Sequence, residues 1–383
     1  MSVYLDYNAS APIDLRVLNY MVDIYRHNIG NADSRTHDFG DNARQIVEKA
    51  RGEVASILNI NRDEVFFTSG ATESNNLAIQ GLRTYGIKEG KKHIVTTSIE
   101  HKAILETAKA MRDQGFEVDF VAPNIDGRIS AKQLLQKVRD DTLLVSVMHV
   151  NNETGIIQPV EEIGEYLSKK NILFHVDATQ SFGKLVDELR SLKYDILSMS
   201  AHKIGGPQGI GALILKKKRY QRPPVKGIFY GGQQEHGIRP GTIPVALVAA
   251  LGYACRLAEK EYKNNQEKCV EIKKRLVEIL NNSDLYYEFN GNQEYCIPNT
   301  MNIYIKGVES EALMLSTKKY CGVSNGSACN TNSYSPSYVL SAMGAPLEQI
   351  ENSIRISWGA DMDIEKVANS FSDLIEIAKR LVW

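Results

Sequence analysis

The chain has 383 residues, of which 43% are hydrophobic and 24% charged, as in an ordinary globular protein with room for two domains. The formal net charge of −1 provides no overall field that would attract nucleic acid or a membrane surface, so we expect no direct binding to either. Five cysteines without a CxxC pair argue against a disulfide framework and a zinc site, which favours a reducing, cytoplasmic location.

Apolar runs alternate with helical patterns along the first part of the chain. Continuous apolar strands separated by helices predict an α/β fold, in which helices cover both faces of a mostly parallel sheet. Helical spacing of apolar residues begins near residues 15 and 39 and recurs between most of the strands. The predicted strands of this sheet are 65–68, 93–97, 118–121, 143–150, 172–176, 196–199 and 210–215.

A second, smaller unit is predicted for the C-terminal part. A helical pattern from residue 245 to about 280 leads away from the large sheet, and strands at 300–305 and 353–357 mix with helices behind it. We therefore predict a large domain over residues 15–260. A smaller α+β domain is predicted to combine residues 1–14 with residues 261–383.

Lys203 stands between two buried strands, in the stretch Ser200-Ala201-His202-Lys203-Ile204-Gly205-Gly206. One interpretation is a lysine whose stem lies along a strand end while its amine reaches water. The other is a desolvated amine that forms a Schiff base with pyridoxal 5′-phosphate (PLP). Lys203 by itself leaves both interpretations open. The residues at the neighbouring strand ends are needed to choose between them.

Three other strand ends carry groups that a ring cofactor with a phosphate requires. Ser69-Gly70-Ala71-Thr72 opens a helix, and small residues there expose backbone N–H groups to a phosphate. His101 follows the strand 93–97, and Asp177 follows the strand 172–176, where a protonated pyridine nitrogen would satisfy a buried carboxylate. The ordinary alternatives are helix N-caps for the first and third positions and a structural histidine for the second.

Cys329 lies in a loop of small polar residues, 324–333, and has no apolar neighbours. Such a cysteine is a poor packing residue, and an exposed thiol on a loop suits the transport of a chemical group. Cys255 and Cys269, by contrast, fall in a long helical pattern and are predicted to pack.

These motifs, and their order along the chain, resemble those of the cysteine desulfurases, a group of fold-type-I PLP enzymes in the class-V aminotransferase family. The Cys329 loop is similar to the longer, flexible form of the subgroup whose members pass sulfur to partner proteins. The matching segments run nearly end to end: Tyr4-Leu5-Asp6-Tyr7-Asn8-Ala9, Ser69-Gly70-Ala71-Thr72-Glu73-Ser74-Asn75, Glu100-His101-Lys102, His149-Val150-Asn151-Asn152-Glu153-Thr154-Gly155, Val176-Asp177-Ala178-Thr179-Gln180-Ser181, Ala201-His202-Lys203, Arg239-Pro240-Gly241-Thr242 and Gly326-Ser327-Ala328-Cys329.

The resemblance implies a role for each matched residue. Lys203 would bind PLP covalently, His101 would stack on the ring and move protons, and Cys329 would carry a persulfide. The substrate, L-cysteine, would be held through its carboxylate by Asn8, Asn152 and Arg355, and no metal ligand is implied. The other cofactor-binding residues would be Ala71, Thr72, Asp177, Gln180, Ser200, His202 and, from the second subunit of a homodimer, Thr242.

The implied function is the conversion of L-cysteine to L-alanine, with the sulfur passed from Cys329 to an acceptor protein. The acceptor stays open among iron–sulfur, tRNA thiolation and DNA phosphorothioation systems. A selenocysteine lyase or another class-V β-eliminating enzyme is the nearest alternative, because neither would require Cys329. An aminotransferase is a weaker alternative. A non-catalytic scaffold is the alternative from another class, and the intact set of Lys203, Asp177, His101 and Cys329 argues against it.

Overall fold

The computed structural model describes residues 2–326 and 336–382. Its strands are β1 (Val3–Tyr4), β2 (Val65–Thr68), β3 (His93–Thr97), β4 (Glu117–Val121), β5 (Thr142–Met148), β6 (Leu173–Asp177), β7 (Ile196–Ser200), β8 (Gly211–Leu215), β9 (Tyr287–Phe289), β10 (Thr300–Ile305), β11 (Cys321–Gly322) and β12 (Ser353–Ser357). Its helices are α1 (Leu15–His27), α2 (Asp38–Leu58), α3 (Ala71–Gln80), α4 (Arg83–Glu89), α5 (Lys102–Asp113), α6 (Ala131–Gln136), α7 (Val160–Leu167), α8 (Val186–Ser191), α9 (Val245–Asn281), α10 (Ser310–Thr317), α11 (Tyr338–Ala342), α12 (Leu347–Glu351) and α13 (Ile364–Leu381). Among these described helices, none is long and apolar enough to cross a membrane.

The largest sheet has seven strands in the order β2-β8-β7-β6-β5-β3-β4, which confirms the predicted α/β fold. Five of its strands, β3 to β7, run parallel to one another. Strand β8 is antiparallel to both of its neighbours, β7 and β2. The reason is the short connection 201–210, which holds only one turn of 3₁₀ helix and has no room for a helical crossover.

Successive residues of these strands point into cores on opposite faces of the sheet. Val95 and Val145 belong to the core under α2, α7 and the first half of α9, whereas Ile94 and Leu144 belong to the core under α3 and α5. Because helices cover both faces, every residue of β3 and β5 is buried, whichever face it points to.

Helix α9 joins this sheet to a second core. Its first half buries Val248 and Leu251 against the large sheet. Its second half buries Ile272 and Leu276, together with Phe371 of α13, against a three-stranded sheet in the order β12-β10-β9. The domain limits 15–260 and 261–383 stay a prediction.

The N-terminal segment crosses between the two sheets. β1 pairs in parallel with β11, and the Tyr7 N–H donates to the carbonyl of Ser357 at the end of β12 (3.3 Å). Further along, the Ala11 N–H donates to the carbonyl of His202 (2.9 Å) and the Asp14 N–H to that of Gly205 (2.9 Å). This path carries Asn8 from the small sheet to the turn that holds Lys203.

Candidate active site

The carboxyl ends of β5, β6 and β7 lie side by side, as neighbouring parallel strands must. Met148 of β5 is opposite Asp177 of β6, and Asp177 is opposite Ser198 of β7. Ser200 ends β7, and Lys203 ends the single 3₁₀ turn that follows. Polar residues predicted at separate strand ends therefore meet at one edge of the sheet.

Lys203 is a partly buried amine held by two backbone carbonyls. Its Nζ donates to the carbonyl oxygens of Asn8 (2.5 Å) and Ala9 (2.7 Å). Burial, together with the positive charges of Lys184 and Arg355, lowers the pKa of the Lys203 amine to about 7. A large fraction of the amine is therefore unprotonated near neutral pH, and this is the form that attacks a carbonyl group or removes a proton.

Asp177 is a buried carboxylate whose hydrogen-bond donors are neutral. Oδ2 accepts from Asn75 Nδ2 (2.8 Å), and Oδ1 accepts from the N–H (2.9 Å) and the hydroxyl of Thr179. Within residues 2–326 and 336–382 no cationic side chain forms an ion pair with it, so it suits a cationic ring nitrogen as partner. The alternative of a helix N-cap is wrong, since the next helix begins at Val186.

His101 combines the structural and the functional interpretation. It is the N-cap of α5, where its Nδ1 accepts a hydrogen bond from the Ala103 N–H (3.1 Å). Burial lowers the pKa of the His101 ring, which favours its neutral form. Because Nδ1 is an acceptor, the hydrogen of the neutral ring belongs on Nε2.

The start of α3 lies against the end of β7. Gly70 has φ 150° and ψ −178°, a backbone conformation that glycine alone adopts readily, and a Cβ there would lie 3.5 Å from Ser200 Oγ. Ala71 and Thr72 form the first turn of α3, whose unpaired N–H groups and dipole attract an anion. This geometry suits a phosphate, and the phosphate site at this helix stays a prediction.

His202 and Thr242, also predicted to bind the phosphate, do not lie in the first turn of α3. The His202 Nδ1 lies 3.1 Å from Ser10 Oγ, and burial and the charge of Lys203 lower its pKa to about 4. Thr242 is exposed in the single chain. Its segment is fixed to α3 by an ion pair between Arg239 Nε and Glu73 Oε1 (3.0 Å).

Asn8, Asn152 and Arg355 form one hydrogen-bonded network that also includes Asp6, Gln180 and Lys203. Arg355 donates to the Asn152 carbonyl (3.0 Å) and to Asp6 Oδ1 (2.6 Å), while Asn8 Nδ2 donates to the Asn152 carbonyl (3.2 Å). Gln180 Nε2 donates to the Asn8 carbonyl (2.9 Å), which also accepts from the Lys203 amine. Three buried atoms of this network have no partner within the described ranges: Arg355 Nε, Asn8 Oδ1 and Asn152 Oδ1. Buried polar atoms normally have partners, so a polar ligand fits here.

The prediction that Cys255 and Cys269 pack in the interior is confirmed. Cys255, Cys269 and Cys321 are buried, and Cys296 is half-buried beside the Thr154 carbonyl. Cys329 lies outside the described residues.

Residues 3–369 match the family model of the class-V aminotransferases. The chain belongs to this family. Its relatives are cysteine desulfurases: the enzyme IscS of Proteus mirabilis (strain HI4320) is 41% identical over 383 residues, which are 100% of this chain and 94% of that protein. The family predicted from the motifs is thereby confirmed.

Solved structures agree with this assignment. A NifS-like protein superposes with a TM-score of 0.91 at 35% identity, covering 100% of both chains. SspA, solved in complex with cysteine, superposes with a TM-score of 0.81 at 34% identity, covering 93% of this chain and 98% of SspA.

Enzymes of this family use PLP, and the site of the desulfurase fits that cofactor. The buried Asp177 lacks a cationic partner in the described part, and the Lys203 amine is desolvated. Gly70 leaves the N-terminus of α3 open to a phosphate. These groups lie at the carboxyl edge of one sheet, where ligands of such folds bind.

Several residues of the desulfurase site were not assigned a role from the sequence. Asn75, which donates to Asp177, stands one helical turn after Ala71, and this spacing could have indicated that both face the same ligand. His175, two residues before Asp177, lies between Ser146 Oγ (2.8 Å) and Ser198 Oγ (2.9 Å). Burial lowers the pKa of His175 to about 4. The layer beneath Asp177 is therefore uncharged near neutral pH.

Two buried glutamates also flank the site. Burial raises the pKa of Glu100 to about 8 and that of Glu153 to about 7. Glu100 Oε1 accepts from Thr97 Oγ1 (2.7 Å) and from the Met148 N–H (3.0 Å). Neither glutamate differs from an ordinary surface residue by its sequence alone.

A cavity of about 570 Å³ borders Lys203 between the N-terminal segment, α9 and the small sheet. Lys184, Tyr7 and Trp358 are among its lining residues, whereas neither Asp177 nor His101 is. Burial lowers the pKa of the Lys184 amine to about 8. Of the predicted site residues that the structure describes, Lys203 alone lines this cavity, so the cavity reaches the site only at Lys203.

Proposed function

We propose that the desulfurase binds PLP, converts L-cysteine to L-alanine, and holds the sulfur as a persulfide on Cys329 before an acceptor protein takes it. The family assignment and the cysteine found in the related SspA structure support L-cysteine as the substrate. Iron–sulfur assembly, tRNA thiolation and DNA phosphorothioation are the candidate pathways of the acceptor, and we place the protein in the cytoplasm.

In this proposal the strand-end residues hold the cofactor. Lys203 would bind PLP covalently, Asp177 would pair with its ring nitrogen, and His101 would stack on the ring. PLP supplies an electron sink that makes the Cα–H of a bound amino acid acidic. The phosphate and the phenolic oxygen would be held by Ala71, Thr72, Ser200, His202 and Gln180.

The other residues orient the substrate and move protons. Arg355, Asn152 and Asn8 have unpartnered buried atoms within the described ranges that suit a carboxylate and its neighbouring amine. They would hold the substrate so that its Cα–H faces Lys203 Nζ. The unprotonated Lys203 amine would remove this proton, and Nε2 of His101 would exchange protons with the substrate.

Sulfur transfer would then need Cys329 as a thiolate. Its sulfur attacks the substrate sulfur, so an S–S bond forms while the Cβ–S bond breaks. Cβ takes a proton and alanine leaves, so that cysteine and one thiol become alanine and one persulfide.

We also propose a homodimer in which Thr242 of each chain contacts the phosphate bound by the other. The exposure of Thr242 supports this proposal, because a phosphate ligand in the same chain would be expected to be buried.

The observation that carries the proposal is a buried carboxylate, Asp177, without a cationic partner in the described part, next to the desolvated amine of Lys203. The test is borohydride reduction of the purified holoenzyme, followed by mass spectrometry of its peptides. Lys203→Ala should lose the reduced PLP adduct and the absorbance of the bound cofactor. Lys184→Ala is the matched control, because burial lowers the pKa of this second lysine too, and it should keep both. An adduct retained by Lys203→Ala would refute the assignment.

A further inference from the structure

Glu153 stands in the turn after β5, next to Asn152, and its backbone is fixed on two sides. Its N–H donates to Asn151 Oδ1 (2.9 Å), and Asn302 Nδ2 of the small sheet donates to its carbonyl (3.1 Å). The turn is therefore a rigid support for the buried carboxylate of Glu153.

The Glu153 carboxylate contacts two segments that are far away along the chain. Ser337 Oγ donates to Glu153 Oε2 at 2.5 Å. A Cβ at Gly326 would lie only 2.6 Å from the same oxygen, so the backbone of Gly326 packs directly on the carboxylate. Gly326 and Ser337 stand on the two sides of residues 327–335, among which is Cys329.

Each of these two flanks is fixed by a second contact. Ser324 exchanges two backbone hydrogen bonds with Arg355 (3.1 and 2.5 Å), and its Oγ accepts from the Gly326 N–H (3.1 Å). Ser337 is the N-cap of α11, where its Oγ accepts from the Leu340 N–H (3.1 Å). Among the side chains in these contacts, Glu153 alone touches both flanks, at Gly326 and at Ser337.

The same turn contacts the residues proposed to hold the substrate carboxylate. The Asn152 carbonyl, one residue before Glu153, accepts from Arg355 and from Asn8. One turn therefore contacts both the flanks of residues 327–335 and the residues proposed to hold the substrate.

We propose that Glu153 is a positioning residue for sulfur transfer, because it fixes both flanks of the Cys329 segment to the turn that orients the substrate. This inference rests on the proposed function, in which Cys329 is the sulfur acceptor. Glu153 acts through Gly326 and Ser337 and need not touch the reacting atoms. The competing explanation is that Glu153 stabilises the fold alone.

The test separates cysteine binding from sulfur transfer in the PLP-loaded enzyme. For Glu153→Ala we expect the affinity for L-cysteine, titrated by cofactor absorbance, to stay within about threefold of the wild type. The single-turnover rate of persulfide formation should fall at least about tenfold. Alkylation of the Cys329 peptide by iodoacetamide, followed by mass spectrometry, should accelerate at least about threefold. Glu153→Gln, which keeps an acceptor for Ser337, should restore most of the transfer rate.

Glu64→Gln is the control. Glu64 is also buried, and its carboxylate accepts hydrogen bonds from two backbone N–H groups. It lies far from the site, however, because it precedes the first residue of β2, whereas Ser69 follows the last. It should leave all three measurements unchanged. If Glu153→Ala does not fold, Ser337→Ala removes the same contact and should give the same pattern. Unchanged transfer and alkylation rates in a folded variant would overturn the inference. A wild type without persulfide on Cys329 would refute the proposed function instead, and the alkylation rates would then show only whether Glu153 fixes the segment that contains Cys329.

Discussion

Glu100 gives the clearest link between burial and the pH dependence of stability. Its side chain is fully buried, Oε2 has no partner in the described part, and burial raises its pKa from 4.5 to about 8. Between these two values the folded protein retains a proton that the unfolded chain releases. The contribution of Glu100 to the free energy of unfolding is therefore largest below about pH 4.5 and falls as the pH rises towards 8.

The change that tests this reasoning is Glu100→Gln, which can keep the hydrogen bonds from Thr97 and from the Met148 N–H but has no proton to lose. At about 1.4 kcal/mol per pH unit, the contribution of Glu100 should fall by about 3 kcal/mol between pH 5 and pH 8. The variant should therefore gain about this much relative to the wild type across that range.

The assay is urea unfolding of the PLP-loaded protein at several pH values, with the difference between variant and wild type plotted against pH. Glu271→Gln, which removes one exposed negative charge from α9, is the control and should give a flat difference. A flat difference for Glu100→Gln as well would refute the conclusion that Glu100 is protonated in the folded protein.

Two further predictions concern the proposed reaction. Cys329→Ser should bind PLP and L-cysteine as the wild type does, while persulfide formation collapses. The control Cys321→Ser should stay close to wild type because Cys321 is buried. Alanine release from Cys329→Ser at an undiminished rate would favour the lyase alternative. Mixing inactive Lys203→Ala and Thr242→Ala chains should partly restore activity, because some mixed dimers then contain one site without either lesion. Proven subunit exchange without any recovery would argue against shared sites.

Much of this fold could be predicted from the sequence because mostly apolar runs such as 143–150 and 210–215 overlap strands that are buried on both faces. The apolar runs do not show that β8 is antiparallel, whereas the short connection 201–210 excludes a helical crossover and so indicates it. Short helices such as α4 and α8 have too few turns to show a period.

The site, like the fold, has a part that could be predicted from the sequence and a part that could not. Asp177 and Lys203 could be predicted because a charged residue at a buried strand end is costly without a ligand. The contacts made by backbone carbonyls could not, since the carbonyls of Asn8 and Asn152 carry no sequence signal. The role of Glu153 depends on Ser337, which is 184 positions away and is brought near only by the finished fold.

The path of the N-terminal segment has a consequence for how the protein is made. Leu5 and Asp6 are synthesised long before their partners, because the Leu5 N–H donates to the carbonyl of Gly322 and Asp6 binds Arg355. Until translation reaches β12, the large sheet can form, but the segment that carries Asn8 lacks its contacts to β11 and β12. A nascent chain should therefore complete its cofactor pocket only after β12 has been made.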